Sequence, residues 1–203
     1  SLLARCGEAV ISNPGGCRIG ERPIDLHIKG LRKMGVHVVH TAETIKLQAE
    51  NLKGAHISLD YPSVGATENL MLAAMAAEGV TRIENSAREP EIIDLQQYIN
   101  RCGGCVKGAG TNVIEVIGGK DLKGCEHKII SDRIEAGTYL LMALATEGEI
   151  LLKETDRRLI APLISILEQS GYGIGYSKNE IWAKASGSEH VRCHIHTAPY
   201  PGF

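Results

Sequence analysis

The sequence predicts an α/β fold made of repeated strand-helix-strand-helix-strand-strand units of about 68 residues, with helices inside and sheet outside. Three observations lead there. Helix ends closed by glycine recur at Leu31-Arg32-Lys33-Met34-Gly35, Ile99-Asn100-Arg101-Cys102-Gly103 and Leu167-Glu168-Gln169-Ser170-Gly171, with the glycines 68 residues apart. Ten residues after each glycine an alternating strand begins, at Ile45–Ala49, Val113–Ile117 and Ile181–Ala185. The runs Leu70–Ala77 and Tyr139–Ala145 are apolar all round, the mark of helices buried on every side, whereas strands such as Ile57/Leu59 against Ser58/Asp60 have one wet face.

In chain order, Ser1–Gly7 reads as the last turns of a helix with a glycine cap, followed by a strand over Ala9–Ser12. A glycine- and proline-rich loop, Pro14–His27, leads into an amphipathic segment ending at Gly35. The middle unit opens with a strand at His56–Asp60, then helices over about Ala66–Glu78 and Glu91–Cys102 flank the strand Val80–Glu84. The third unit opens at His127–Ser131, with helices over about Ile134–Glu147 and Asp156–Ser170 separated by the strand Glu149–Glu154. Val191–His196 resembles the opening strand of a fourth unit. A truncated first unit and an interrupted fourth predict a piece of a longer protein.

With 203 residues, the chain has room for one large domain or two small ones. A formal net charge of −2, one Trp and one Phe give neither the electrostatic footprint nor the stacking platform of a nucleic-acid binder. The apolar runs are far shorter than the roughly 20 residues of a membrane span, so no membrane partner is expected. The N-terminal residues lack a signal-peptide pattern, and six cysteines in a chain of this size read as reduced thiols, which together predict a cytoplasmic protein.

The chemistry concentrates in the loop Pro14-Gly15-Gly16-Cys17-Arg18-Ile19-Gly20-Glu21-Arg22-Pro23. A thiolate between two guanidinium groups is stabilised, so the Cys17 thiol is expected below the ~8.5 of a free cysteine. On residue types alone the loop is either a reactive thiol in an anion-binding turn or a turn with an idle cysteine.

The full stretch Pro14–His27 resembles the cysteine loop of the UDP-N-acetylglucosamine enolpyruvyl transferases. The similarity continues through Ser63-Val64-Gly65-Ala66-Thr67, Glu84–Glu91, Ser131–Glu135 and Thr197-Ala198-Pro199, and so covers essentially the whole chain. It implies a fold of two lobes, each an inside-out α/β barrel of three repeats. Residues 1–127 would then be part of the first lobe and 128–203 the start of the second. It also implies transfer of an enolpyruvyl group from phosphoenolpyruvate to UDP-N-acetylglucosamine with release of phosphate, an early step of peptidoglycan synthesis needing no cofactor.

By the same resemblance Cys17 is the general acid that protonates the enol methylene carbon, able also to add covalently and to be alkylated by the epoxide fosfomycin. Arg22 would pair with the phosphate or carboxylate of phosphoenolpyruvate. Pro23, Ile24, Asp25, Leu26 and His27 would line the uridine pocket with Tyr61, Pro62, Ser63, Val64 and Gly65, the last group placing backbone amides before a helix for a diphosphate. Glu89 and Glu91 would face the cleft, and Asp132-Arg133 would cap a helix, touch substrate or serve as a hinge. Two positions depart from the family. Arg18 stands where a small residue is commoner, and Tyr61-Pro62 replace a commonly basic stretch. The family's base aspartate would fall a few residues past Phe203, so the chain alone is expected to be inactive.

Two rival functions fit the same architecture. A shikimate-phosphate enolpyruvyl transferase shares the architecture but not the cysteine loop, and a non-catalytic repeat scaffold would leave Cys17 inert. Cys102-Gly103-Gly104-Cys105 has redox or half-zinc spacing, but its glycines coincide with the repeated helix end and no second pair lies nearby. His190, Cys193, His194 and His196 read as a wet strand face, and Gly171-Tyr172-Gly173-Ile174-Gly175 follows a helix instead of opening one, unlike a dinucleotide loop. No metal is predicted.

Overall fold

The computed structural model describes residues 2–12, 23–41, 43–185 and 194–202. Its contacts divide the chain into two compact units, Ser1–His127 and Lys128–Phe203. Each has its own hydrophobic cluster.

Unit 1 begins with α1 (Leu2–Cys6) and β1 (Glu8–Ile11), with Gly7 between them at φ +75°. Then come α2 (Asp25–Lys33), β2 (His37–His40), β3 (Ile45–Gln48), β4 (His56–Ser58), α3 (Val64–Met75), β5 (Val80–Glu84), α4 (Pro90–Arg101), β6 (Cys105–Lys107) and β7 (Val113–Ile117). Unit 2 holds α5 (Arg133–Ala145), β8 (Glu149–Lys153), a 3-10 turn (Arg157–Ile160), α6 (Ala161–Gln169), β9 (Gly173–Tyr176) and β10 (Glu180–Lys184).

The same local device closes α2, α4 and α6. Gly35, Gly103 and Gly171 all take left-handed φ, at +92°, +95° and +88°. After each glycine, the next amide donates back five positions: Val36 to Leu31 at 3.1 Å, Gly104 to Ile99 at 3.0 Å, Tyr172 to Leu167 at 3.0 Å. The glycine amide itself bonds the carbonyl three residues back, completing a Schellman turn. A side chain would meet the αL penalty here, which is why glycine marks the repeat. Each turn then launches an antiparallel hairpin whose second strand pairs with the strand before the helix, so the order β1-β3-β2 recurs as β5-β7-β6 and β8-β10-β9. The middle sheet gains β4, parallel to β5 in the register Ile57↔Ile83.

Alternation along these strands sets which face is covered. Thr81, Ile83, Ile114 and Val116 point into the core, while Arg82, Glu115 and Glu84 form an ion-paired outer row, with Arg82 Nη1 2.8 Å from Glu115 Oε1. Against the inner face lies α3, whose Leu70, Met71, Ala73 and Ala74 are almost wholly buried. Each such aliphatic side chain contributes roughly 1.5–3 kcal/mol by leaving water.

Several expectations are corrected. Ala66–Glu78 and Ile134–Glu147 begin two and one residues earlier than predicted, at Val64 and Arg133, because Ser63 and Asp132 cap them. The predicted helix over 156–170 is split, since Pro162 has no amide to continue a ladder through the 3-10 turn ahead of it. Helix α5 is not buried all round: Leu140 is fully buried, but Ile134, Tyr139, Leu141 and Met142 are exposed, as is Leu72 on α3. An apolar composition fixes what a helix would bury, not what is present to cover it. The expected strand at His127–Ser131 does not form, and Ile129 and Ile130 are exposed there. Of Val191–His196, residues 194–196 are not strand and the remainder lies outside the described residues.

Candidate functional site

The site predicted in unit 1 is built on three helix starts brought to one end of the unit. The first is α2, where Ile24 occupies the N-cap position and Asp25 the first turn, beside the positive end of the helix dipole. Pro23 and Asp25 are exposed. Leu26 is 2% exposed and part of the core, so only its backbone is available to a ligand. His27 is half-buried. Asn69 Nδ2 lies 3.2 Å from its Nδ1, where the amide donates and leaves the proton of the neutral ring on Nε2. Burial holds this imidazole below its ordinary range, against the opposing pull of Asp25.

The second start is α3. Ser63 Oγ accepts from the Ala66 amide at 3.3 Å, and the Val64 and Gly65 amides belong to the first turn, which has no intrahelical acceptors for them. Gly65 sits against His27: a Cβ built there would come within 3.7 Å of the ring. Tyr61 is exposed and Pro62 half-buried, and Lys29 Nζ ties α2 to this loop through Asp60 Oδ1 at 2.7 Å.

The third is α4, where Pro90 fills the first turn, Glu89 stands at the N-cap position without a capping bond, and Glu91 follows. Its approach is fixed by Thr67 of α3, wholly buried, whose hydroxyl donates to the Ser63 carbonyl at 2.8 Å and accepts from the Ala87 amide at 3.1 Å. Asn85, at φ +55°, adds a bond from Nδ2 to the Leu59 carbonyl at 2.9 Å. Glu68 on α3 faces both acids: burial first, then the charges of Glu91 and Glu89, push its carboxyl above the usual carboxylate range. Glu89 Oε2 is buried with no hydrogen-bond partner among the described residues.

Thus the predicted Asp25–His27, Ser63–Gly65 and Glu89/Glu91 groups are neighbours. Cys17 and Arg22, with Arg18, lie outside the described residues. Sequence reading missed Thr67, Glu68 and Asn69, three polar residues in succession at the front of an otherwise apolar helix. That interruption is the signal that could have found them. Asp132 and Arg133 belong to unit 2. Asp132 Oδ1 accepts from the Ile134 and Glu135 amides at 2.8 and 3.0 Å, making it a helix cap, and it borders an open cavity of about 970 Å³ among the described residues. The Arg133 guanidinium lies over the Tyr200 ring, 5.6 Å from its centre.

A family model described as EPSP synthase (3-phosphoshikimate 1-carboxyvinyltransferase) matches residues 1–203. The chain belongs to this family of enolpyruvyl transferases. Within the family it is 49% identical, over its whole length, to UDP-N-acetylglucosamine 1-carboxyvinyltransferase 1 of Carboxydothermus hydrogenoformans, of which it covers 48%. The chain therefore spans about half the length of this curated relative. Among solved structures, the enolpyruvyl transferase NikO from Streptomyces tendae superposes with a TM-score of 0.83 at 20% identity, over 99% of this chain and 48% of that one, a likeness of fold. EPSP synthase from Acinetobacter baumannii superposes with a TM-score of 0.63 at 25% identity, over 90% and 43%. The α/β architecture is thus that of the enolpyruvyl transferases. Among the described residues, no helix is long and apolar enough to cross a membrane.

Proposed function

We propose that the chain is part of an enzyme that transfers the enolpyruvyl group of phosphoenolpyruvate to UDP-N-acetylglucosamine, releasing phosphate for peptidoglycan precursor synthesis in the cytoplasm. The observation that carries this reading is 49% identity along all 203 residues to a UDP-N-acetylglucosamine 1-carboxyvinyltransferase. The rival shikimate-phosphate reading has behind it the family model over residues 1–203, which describes the enolpyruvyl transferases as a family, and a structural likeness at 25% identity. On this reading the two units are portions of two inside-out α/β lobes.

The site chemistry follows from residue types and placement. Cys17 supplies the proton to the methylene carbon of the enol as the sugar hydroxyl adds, and Arg22 holds the phosphoenolpyruvate anion bidentately. The start of α2, from Pro23 to His27, takes the uridine, with Leu26 contributing backbone only. Tyr61, Pro62, Ser63, Val64 and Gly65 take the diphosphate at the start of α3, where unpaired amides and the helix dipole favour an anion. The Nε2–H of His27, beside Gly65, is a further donor to that anion. Glu89 and Glu91 edge the cleft, and Asp132 and Arg133 set the first turn of α5.

The test is the intact mass of the chain after fosfomycin, with and without UDP-N-acetylglucosamine, followed by peptide mapping. Alkylation confined to Cys17 and accelerated by the nucleotide sugar is expected. Equal labelling of Cys6 and Cys102, unaffected by the nucleotide, would overturn the assignment of Cys17 and of the uridine pocket.

A further inference from the structure

The spacing of Cys102 and Cys105 invites a pairing within Cys-Gly-Gly-Cys, but in the fold Cys102 meets a different thiol. Its Sγ lies 3.4 Å from that of Cys125, which is 23 residues away in sequence. Cys105 instead opens β6 and is held in the ladder opposite Ile117.

The encounter is organised by a whole face of α4. Asp94, Tyr98 and Cys102 are spaced four apart and form one stripe along the helix. The segment 118–127, which has no regular structure, runs back along that stripe. Near the helix C-terminus the Lys123 amide donates to the Cys102 carbonyl at 2.8 Å. Nearer the N-terminus His127 Nε2 sits 3.0 Å from Asp94 Oδ1, its side chain only 5% exposed, and its ring stands edge-on to Tyr98 with centres 5.6 Å apart. Cys125 lies between these two anchors, so its position opposite Cys102 is fixed from both sides.

We propose that Cys102 and Cys125 form a thiol–disulfide couple, which covalently fastens the strap 118–127 to α4 on exchange with a low-molecular-weight disulfide. Cys125 is half-exposed and Cys102 buried, so Cys125 is the entry point. Its sulfur, having lost a proton to solvent, attacks one sulfur of the small disulfide. The S–S bond breaks, one thiolate leaves, and a mixed disulfide stays on Cys125. The Cys102 thiol then loses its proton and attacks Cys125 Sγ, expelling the second small thiolate. Two protein thiols are oxidised and one small disulfide is reduced to two thiols. The gap to bonding distance is about 1.4 Å, within reach of a side-chain rotation because Cys125 sits on irregular backbone. The strap ends at His127, the last residue of unit 1, so the link lies wholly within that unit.

The full chain is incubated with oxidised glutathione at pH 8, its remaining thiols are blocked, and its mass and non-reduced tryptic peptides are read. Loss of two hydrogens is expected, with peptide 102–107 joined to peptide 124–128, in the native chain and in Cys105→Ser. The joined peptides should vanish in Cys102→Ser and in Cys125→Ser, each checked by circular dichroism to be folded. Amides of the strap should exchange about tenfold more slowly in the oxidised chain than in the reduced one. A disulfide internal to peptide 102–107, a link that survives in Cys102→Ser, or glutathione retained on Cys125 without a link would each overturn the proposal.

Discussion

Replacing Thr67 by Val removes one oxygen from the protein interior and disconnects two of the three helix starts. The Thr67 hydroxyl makes two bonds, and they are not equivalent. The Ser63 carbonyl that accepts from it at 2.8 Å already accepts the Thr67 backbone amide at 3.0 Å, so losing the hydroxyl leaves it satisfied. The Ala87 amide, in a residue 0% exposed, has that oxygen 3.1 Å away as its acceptor. An orphaned buried amide costs about 1–3 kcal/mol, partly offset by the better burial of a methyl, so Thr67→Val should cost about 1–2 kcal/mol. Thr67→Ser keeps both bonds and loses one buried methyl, also about 1 kcal/mol. Global stability therefore separates the two poorly, whereas hydrogen exchange at a single amide separates them well. In Thr67→Val the Ala87 amide should exchange about tenfold faster, the equivalent of roughly 1.4 kcal/mol of local protection. In Thr67→Ser it should exchange at the native rate. An Ala87 amide equally protected in Thr67→Val and the native chain would refute the assignment of Thr67 as the bolt between α3 and the Glu89 turn.

Gly171→Ala should destabilise unit 2 by about 1–2 kcal/mol through backbone strain alone, since φ is +88° there; unfolding followed by the fluorescence of Trp182, the one tryptophan of the chain, measures it. Asp132→Ala removes the acceptor of two α5 amides and should cost unit 2 about 1 kcal/mol by the same measurement, with Asp132→Asn close to native. Glu68→Gln should stabilise unit 1 at pH 7 and not at pH 4. Burial and the Glu91 and Glu89 charges raise the Glu68 pKa in the folded state, so the folded chain binds the proton more tightly and its advantage is lost as pH rises past the ordinary carboxylate range. Urea titrations at the two pH values, followed by far-ultraviolet circular dichroism, check the sign.

What the sequence made legible is what a few adjacent residues determine. A left-handed turn needs glycine at one position, so Gly35, Gly103 and Gly171 announced both the repeat and its period. Alternation in Val113–Ile117 announced a strand with one covered face. The features that escaped depend on partners far away in the chain. His56–Ser58 is a strand because β5 lies alongside it, while 127–131 has similar composition and no ladder among the described residues. Cys102 was read against the thiol three residues on, and its neighbour is 23 residues on. For the site, the cysteine loop and the Ser63–Gly65 turn were visible as motifs. Thr67, Glu68 and Asn69 act across helix contacts and leave only a polar interruption in an apolar run.

The gathered helix starts bear on what the proposed site needs from the cysteine loop. Each helix N-terminus offers the equivalent of about half a positive charge, so three of them amount to roughly +1.5 near their ends. Asp25, Glu68, Glu89 and Glu91 stand at the same end, and the Glu68 carboxyl is held above the usual carboxylate range by burial first and then by the charges of Glu91 and Glu89. Helix dipoles alone therefore do not make this end of unit 1 attractive to a nucleoside diphosphate and a phosphorylated enol together. The balance has to come from fixed cations. Arg18 and Arg22 lie immediately before α2 in sequence, one on either side of a single acid, Glu21. On the proposed reading, the cysteine loop thus has two electrostatic tasks: lowering the thiol pKa at Cys17 and reversing the sign of an otherwise acidic platform. The second explains why guanidinium groups, which stay charged at any physiological pH, suit these positions better than histidines would.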